Sequence, residues 1–262
     1  MADAELFVPY GHLDYGESKV GKTDYLLSVF DSKYIKPEEV LYLDNHGSTR
    51  GFGAPRYDPK KPYGVKAIRP DKPESFLKEC EKIRSNIARG TNKYKVVILD
   101  DVSEHAQAAI QRRNKEQPGK SIRNWGEHLD AMTEPIRLIL PEYSGIIMLM
   151  SARAGRMTDV LEDKSKLMDA NSDNPDTVIR PLIQGQFGTW ILFQFDLISF
   201  HEFDKVGTHG TADFWPAKDR YSGNRFLKKW SKMKIPRKVE DMTFDKVYEI
   251  VQKVAQEETN DG

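Results

Sequence analysis

Three short apolar runs along this chain stop at polar residues. Val40-Leu41-Tyr42-Leu43-Asp44 leads into Asn45-His46-Gly47-Ser48, Lys95-Val96-Val97-Ile98-Leu99 into Asp100-Asp101, and Gly145-Ile146-Ile147-Met148-Leu149-Met150 into Ser151. Runs without polar alternation mark strands covered on both faces, as in a parallel sheet, and ligands gather at the carboxyl ends of such strands. Helical stripes alternate with them. Leu26, Val29 and Phe30 share one face. Phe76, Cys80, Ile83 and Ile87 follow Asp71-Lys72-Pro73-Glu74, a helix start with proline in its first turn, and Gly90 closes that helix. Leu129, Met132, Ile136 and Leu140 line a helix over 125–140. Phe244, Val247, Ile250, Val251 and Val254 line a last helix capped by Thr243.

Residues 65–68 predict a further strand, 180–188 a short helix, 189–200 an aromatic-rich strand and 207–210 a hairpin turn. Residues 50–63 predict an exposed loop. Residues 152–176 lack periodicity and predict a long mobile loop that a ligand could order. Together the pattern predicts an α/β fold, with a mainly parallel central sheet flanked by helices and a C-terminal β-hairpin and helix. No internal repeat or domain boundary is visible. Residues 1–262 are expected to form one domain, with a core over about 7–230, a helical extension over 231–256 and a disordered tail at 257–262.

Chemistry enters with Tyr15-Gly16-Glu17-Ser18-Lys19-Val20-Gly21-Lys22-Thr23, which fits G-x-x-x-x-G-K-[ST] from Gly16 to Thr23. Glycines let such a loop bring its N–H groups close to phosphate. Lys22 then reaches the β- and γ-phosphates, and the Thr23 hydroxyl ligates Mg²⁺. ATP and Mg²⁺ are the expected cofactors, with phosphate contacts from Gly16, Glu17, Ser18, Lys19, Val20, Gly21, Lys22, Thr23 and Asp24. Leu13 and Tyr15 give a thin apolar lead-in strand. Asp24 sits in the first turn of the following helix, where the dipole favours an acid but a polyanion would not.

Asp100, ending an apolar strand downstream of that loop, is the expected second holder of Mg²⁺. Asp101 either orients the attacking water or caps the helix that follows. His46 either faces the phosphates or is a loop histidine. Ser151 stands where a γ-phosphate-sensing polar residue is often found. Cys80 lies on an apolar stripe and is expected to be a core residue, not a nucleophile.

Composition narrows the classes. The chain has 262 residues, 39% hydrophobic and 31% charged, enough for one sizeable core under a well-solvated surface. Forty basic and forty acidic residues balance to zero, so no global nucleic-acid footprint exists and only local basic patches could serve. One such patch is Arg112, Arg113, Lys115, Lys120 and Arg123 in the expected loop 111–123; another holds Arg153 and Arg156. Each is either a solvated charge run or a contact for a phosphate backbone. Lys218, Arg220 and Arg225 are candidates to bring a cation to a nucleotide, in cis or from a neighbouring subunit, against a reading as surface charge. A single cysteine excludes an internal disulfide and a cysteine-based zinc site. The acidic N-terminus lacks a signal-peptide core, and no run approaches the roughly 18 apolar residues of a membrane span. A soluble, cytoplasmic protein without membrane contact is expected.

With these motifs in order, residues 10–230 resemble the RecA-like branch of P-loop ATPases. They resemble more closely the compact phage-encoded AAA-type/RecA-like ATPases linked to single-strand annealing and recombination. The resemblance rests on the phosphate loop, on the runs ending at Asp44 and Asp100-Asp101, on 147–151, on Gly185 through Phe195-Asp196, and on Lys218-Asp219-Arg220-Tyr221-Ser222-Gly223. It implies a RecA-like P-loop NTPase fold and ATP hydrolysis. It also implies single-stranded DNA as partner, a homo-oligomer or filament, contact with replication or recombination proteins, and, for a phage protein, the host cytoplasm. The segments corresponding to the DNA-approaching loops are 111–123 and 152–180. His46 takes the place where RecA-like enzymes carry a water-activating Glu, so Asp101 assumes that role or hydrolysis is slow. The alternative is an ATP-switched protein-binding or loader module without DNA contact. A GTPase is disfavoured because Asn92-Lys93 lacks the acid two residues on. A nucleotide kinase is disfavoured because Asp219-Arg220-Tyr221 lies far downstream and no lid is evident.

Overall fold

The computed structural model describes residues 7–45, 47–69, 72–119, 121–158, 177–183, 185–203, 210–214 and 238–260. Their strands are β1 (Gly11–Gly16), β2 (Val40–Asp44), β3 (Gly64–Ala67), β4 (Val96–Asp100), β5 (Ile147–Thr158), β6 (Thr177–Pro181), β7 (Leu197–Phe203), β8 (Gly210–Asp213) and β9 (Lys238–Val239). The helices are α1 (Lys22–Leu27), α2 (Pro73–Ala88), α3 (Val102–Glu116), α4 (Ser121–Leu138), α5 (Pro141–Ser144), α6 (Gly185–Leu192) and α7 (Phe244–Asn260). The sheet order is β3-β2-β4-β5-β1-β7-β8-β9. The strands from β3 through β7 run parallel, and β8 and β9 add an antiparallel edge. This is the expected α/β architecture of a P-loop NTPase, with the phosphate-loop strand β1 central.

Alternation along the strands assigns each face its layer. Leu13, Leu41, Leu43, Val97, Leu99, Met148 and Met150 pack under α2, α3, α4 and α6 through Phe76, Ala106, Met132 and Phe187. Tyr42, Val96, Ile98, Ile147 and Leu149 pack under α1 and α7 through Tyr25, Leu26, Phe244 and Val247. Fully burying one such side chain contributes about 1.5–3 kcal/mol, so α7 is half of one core layer and not an appendage. Cys80 is wholly buried in the first layer, the core position its stripe predicts.

On the α1 face the same alternation stops being apolar at the carboxyl end. Asp44 pairs with Asp100, Asp14 with Ser151, and Asp14 with Ser199. A row of polar residues therefore crosses the sheet beneath the phosphate loop, with α1 above it.

Several boundaries differ from expectation. The thin lead-in around Leu13 and Tyr15 is a six-residue central strand, buried throughout. The basic stretch 111–123 is mostly helix, with a turn at 117–119. Arg112, Arg113 and Lys115 ride the last turns of α3, and Arg123 belongs to α4. Charge density hid a helical period that Ala106, Ala109 and Ile110 carry one turn earlier. The first part of 152–176 is strand: β5 runs to Thr158 and leaves the sheet to pair antiparallel with β6. Residues 180–192 divide otherwise than expected, with Arg180 in β6 and helix from Gly185 to Leu192. The strand expected from 189 begins at Leu197. Trp190-Ile191-Leu192-Phe193 is too short an apolar run to carry a period that tells helix from strand. Gly210 opens β8, while 207–209 lie outside the described residues. The helix expected to end at 256 continues to Asn260, because Glu and Gln are good helix formers that extend an anchored helix.

Candidate functional site

β1 delivers the chain to the phosphate loop. A Cβ on Gly16 would lie 2.3 Å from the His201 carbonyl oxygen, so only glycine lets the loop start this close to β7. The loop then turns through left-handed backbone at Lys19 (φ 67°) and Gly21 (φ 96°). Glu17, Ser18 and Lys19 are exposed, and Val20 is half-buried. Lys22 opens α1 and folds back. Its Nζ donates to the carbonyls of Gly16 at 3.0 Å and Glu17 at 2.6 Å. An ammonium has three donors, so one is left for an anion among the described residues. Burial pushes the Lys22 pKa down, against the pull of Asp14, Asp101 and Asp100.

Asp100 faces this loop from the end of β4. Its Oδ2 accepts from Thr23 Oγ1 at 3.1 Å, Tyr42 Oη at 2.8 Å and Ser48 Oγ at 2.7 Å, while Oδ1 accepts from the buried Ser151 hydroxyl. Asp101 next to it caps α3: its Oδ1 accepts from Ser103 N at 2.7 Å. Its Oδ2 lies 3.5 Å from Arg153 Nε. Burial and the adjoining Asp100 raise the Asp101 carboxyl to about 6, despite Ser103, Arg153 and Lys22. Asn45 clamps the Asp101 backbone from both sides, donating from Nδ2 to its carbonyl at 2.7 Å and accepting its N–H at 2.9 Å. These groups wall a cleft of about 350 Å³ lined by Ser18, Lys19, Gly21, Lys22, Thr23, Asp24, Ser48, Phe52, Asp100, Asp101 and Arg153. A second concavity, near Arg84, Arg137 and Tyr143, lies away from these groups.

The turn after β2 is built to present Ser48. Asp44 accepts from Gly47 N at 2.6 Å and from Thr49 Oγ1 at 2.5 Å, and Arg56 donates to Thr49 Oγ1 at 2.8 Å and to its carbonyl at 2.7 Å. Thr49 is thereby fixed and buried, and Ser48 beside it points at Asp100.

The structure brings Lys22, Thr23, Asp100 and Asp101 together, with Asp24 exposed at the rim. Ser151 touches Asp100 from beneath, wholly buried. Arg153, expected at a nucleic acid, lies in the cleft instead. Arg112 pairs with Glu74 and Glu116, and Arg113 with Glu127. Lys115 is exposed on α3, and Arg156 pairs through its backbone with Ile179. His46, Lys120, Lys218, Arg220 and Arg225 lie outside the described residues. From the sequence, Asp44 to Ser48 are expected to face the phosphate loop, but Asn45 and Ser48 receive no role; Tyr42 is missed, and Arg153 is considered only as a contact for DNA. For Tyr42 a signal existed: two residues before Asp44 in a strand paired with β4, it shares the face of Asp100.

The donor set suits a nucleotide phosphate with Mg²⁺. Thr23 gives its proton to Asp100, which leaves its oxygen lone pairs for a hard cation. Two adjoining carboxylates at the cleft floor supply the negative charge such a cation neutralises. Among the described residues no helix is long and apolar enough to cross a membrane.

A family model described as an AAA domain matches residues 12–221, from β1 past the phosphate loop, Asp100 and β8. No curated protein matches the chain.

Proposed function

The chain belongs to the AAA-domain family, nucleotide-binding ATPases by type, and from that premise we propose that it binds ATP with Mg²⁺ in the cleft between the phosphate loop and β4 and hydrolyses it. The observation that carries this reading is the Thr23 hydroxyl meeting Asp100 at 3.1 Å beside the Lys22 ammonium. Mg²⁺, when bound, neutralises charge developing on the transferring phosphoryl group. Lys22 and the loop N–H groups hold the phosphates. Thr23 and Asp100 hold the cation, and Asp101 accepts a hydrogen bond from the attacking water through Oδ2. That oxygen is free of the helix cap, which uses Oδ1, so the two roles weighed for Asp101 are compatible.

Lys22→Ala tests the reading. Calorimetric titration should show ATP and ADP affinity falling together, with turnover at least about 100-fold lower. Unchanged nucleotide affinity in the folded variant would sink it.

For the partner, the resemblance to recombination-linked phage ATPases supports single-stranded DNA engaged by an oligomer or filament. The ion pairs of Arg112 and Arg113 favour the second reading, an ATP-switched protein-binding module. Filter binding separates the two. ATP-dependent retention of single strands that falls steeply with salt supports DNA. ATP-dependent partners that resist nuclease support the module.

A further inference from the structure

We propose that Arg153 is the cation that reads the terminal phosphate from within the same chain, and that in the nucleotide-free protein its guanidinium is latched on Asp101 and Glu104. This deepens the ATPase reading and rests on it. β1 and β5 are paired so that Arg153 stands beside Gly16, the first residue of the phosphate loop. The backbone of Arg153 is pinned. Its N–H donates to Ser103 Oγ at 3.0 Å and its carbonyl accepts from Leu182 N at 2.6 Å. Only the side chain is left to move.

The guanidinium lines the cleft with Lys22, Thr23, Asp100 and Asp101. Its Nη2 donates to Glu104 Oε2 at 2.5 Å and its Nε sits 3.5 Å from Asp101 Oδ2. Nη1 has no partner among the described residues. The fork therefore has donors to spare on the side of the cleft. The Asp101 contact is long and the arginine side chain is 40% exposed, so solvent screens it and little holds it in place. A terminal phosphate carries more charge and matches the planar fork with two oxygens. Its arrival draws Nε off Asp101, turns the unpartnered Nη1 and the remaining Nη2 proton to the phosphate, and leaves Oδ2 of that carboxylate to the attacking water. Glu104 keeps Nη2 and aims the group. One movement thus reports that the nucleotide is a triphosphate and unmasks Asp101.

The experiment compares ATP and ADP affinities, with Mg²⁺, for the full chain and for Arg153→Ala, Arg153→Lys and Glu104→Gln. Arg153→Ala should weaken ATP about tenfold or more while ADP binding stays within about twofold. Turnover should fall by at least about 10²-fold, as for an arginine that meets a transferring phosphate. Arg153→Lys should keep part of the preference for ATP and little of the turnover, since a point charge lacks the fork. Glu104→Gln should not weaken ATP binding. ADP binding itself reports folding, and the lysine and glutamine variants carry the comparison if the alanine variant does not fold. Equal losses for ATP and ADP, or an unchanged preference in Arg153→Ala, would overturn the proposal. Failure of the unaltered protein to bind either nucleotide would overturn the ATPase reading instead.

Discussion

Asp14 and Asp100 lie on the same face of the same sheet, separated by β5, and almost no solvent reaches either: Asp14 is 0% exposed and Asp100 4%. Their partners differ in kind. Asp100 is met by four hydroxyls, from Thr23, Tyr42, Ser48 and Ser151. A hydroxyl that donates its proton still has lone pairs, so a cation can be added at Thr23 without dismantling the cluster. Asp14 is met by His201 Nδ1 at 2.7 Å and Ser199 Oγ at 2.5 Å. Burial alone would raise its carboxyl, but His201, His12 and Ser199 together hold it below the usual carboxylate range. Both donors are already committed, His201 Nδ1 to Asp14 and the Ser199 hydroxyl between Asp14 and His12, so the Asp14 carboxylate is closed off, with His201 Nε2 buried behind it and unpartnered among the described residues. One carboxylate is arranged to take a ligand, and the other braces the strand that carries the loop.

The largest effect should come from opening the closed cluster. Asp14→Ala leaves a buried imidazole N–H and a buried hydroxyl without their acceptor, a loss of about 3–5 kcal/mol of stability. Urea unfolding measures it, and a midpoint equal to wild type would show that Asp14 is no brace. Asp100→Asn should act the other way round. Stability should change little, because the amide oxygen still accepts from hydroxyls, while turnover should fall about 10²–10³-fold. The thermal shift given by ATP should also lose its dependence on Mg²⁺. A variant whose turnover matched wild type would make Asp100 a second brace and erase the distinction.

The open cluster was legible and the closed one was not, for a physical reason. A phosphate and a hard cation constrain residue types at fixed spacing, so Gly16 to Thr23 and an apolar strand ending in Asp100 stand out. Asp14 is satisfied by Ser199 and His201, 185 and 187 positions away, and no local pattern announces such partners. His12 and Asp14 made β1 look like a weak strand when they are buried polar residues with long-range satisfaction. Arg153 was misassigned for the same cause. As part of a basic stretch it suggested nucleic acid, and only the pairing of Gly16 with Arg153 turns it into the cleft. The buried strands were legible because they are covered on both faces. Helix α6 was legible only in its first half, because Trp190-Ile191-Leu192 runs on into the aromatic-rich residues before β7 without a helical period.

The last and smallest effect is a dependence on pH that belongs to the closed cluster. Ser199 spends its proton on Asp14, so it accepts from His12 Nε2 at 2.8 Å; His12 Nδ1 must then accept from Tyr25 Oη at 2.7 Å. Every donor faces one acceptor only while His12 is neutral. A proton on Nδ1 would meet the tyrosine hydroxyl donor to donor. Burial lowers the His12 pKa to about 4, although Asp14 opposes it. The unfolded chain takes up that proton near pH 6.5, the ordinary histidine value. Between these two values the unfolded state binds a proton the native state refuses, so stability falls as pH is lowered from about 6.5 to about 4. His105 and His128, also lowered to about 4 by burial, act with the same sign. At pH 4.5 His12 alone should cost about 2–3 kcal/mol relative to pH 7. His12→Asn lowers stability at pH 7 but removes one titrating group, so its loss between pH 7 and pH 4.5 should be smaller than wild type by that amount. Equal pH slopes for the two proteins would mean that His12 carries a proton in the native state and that the closed cluster has a different order of donors.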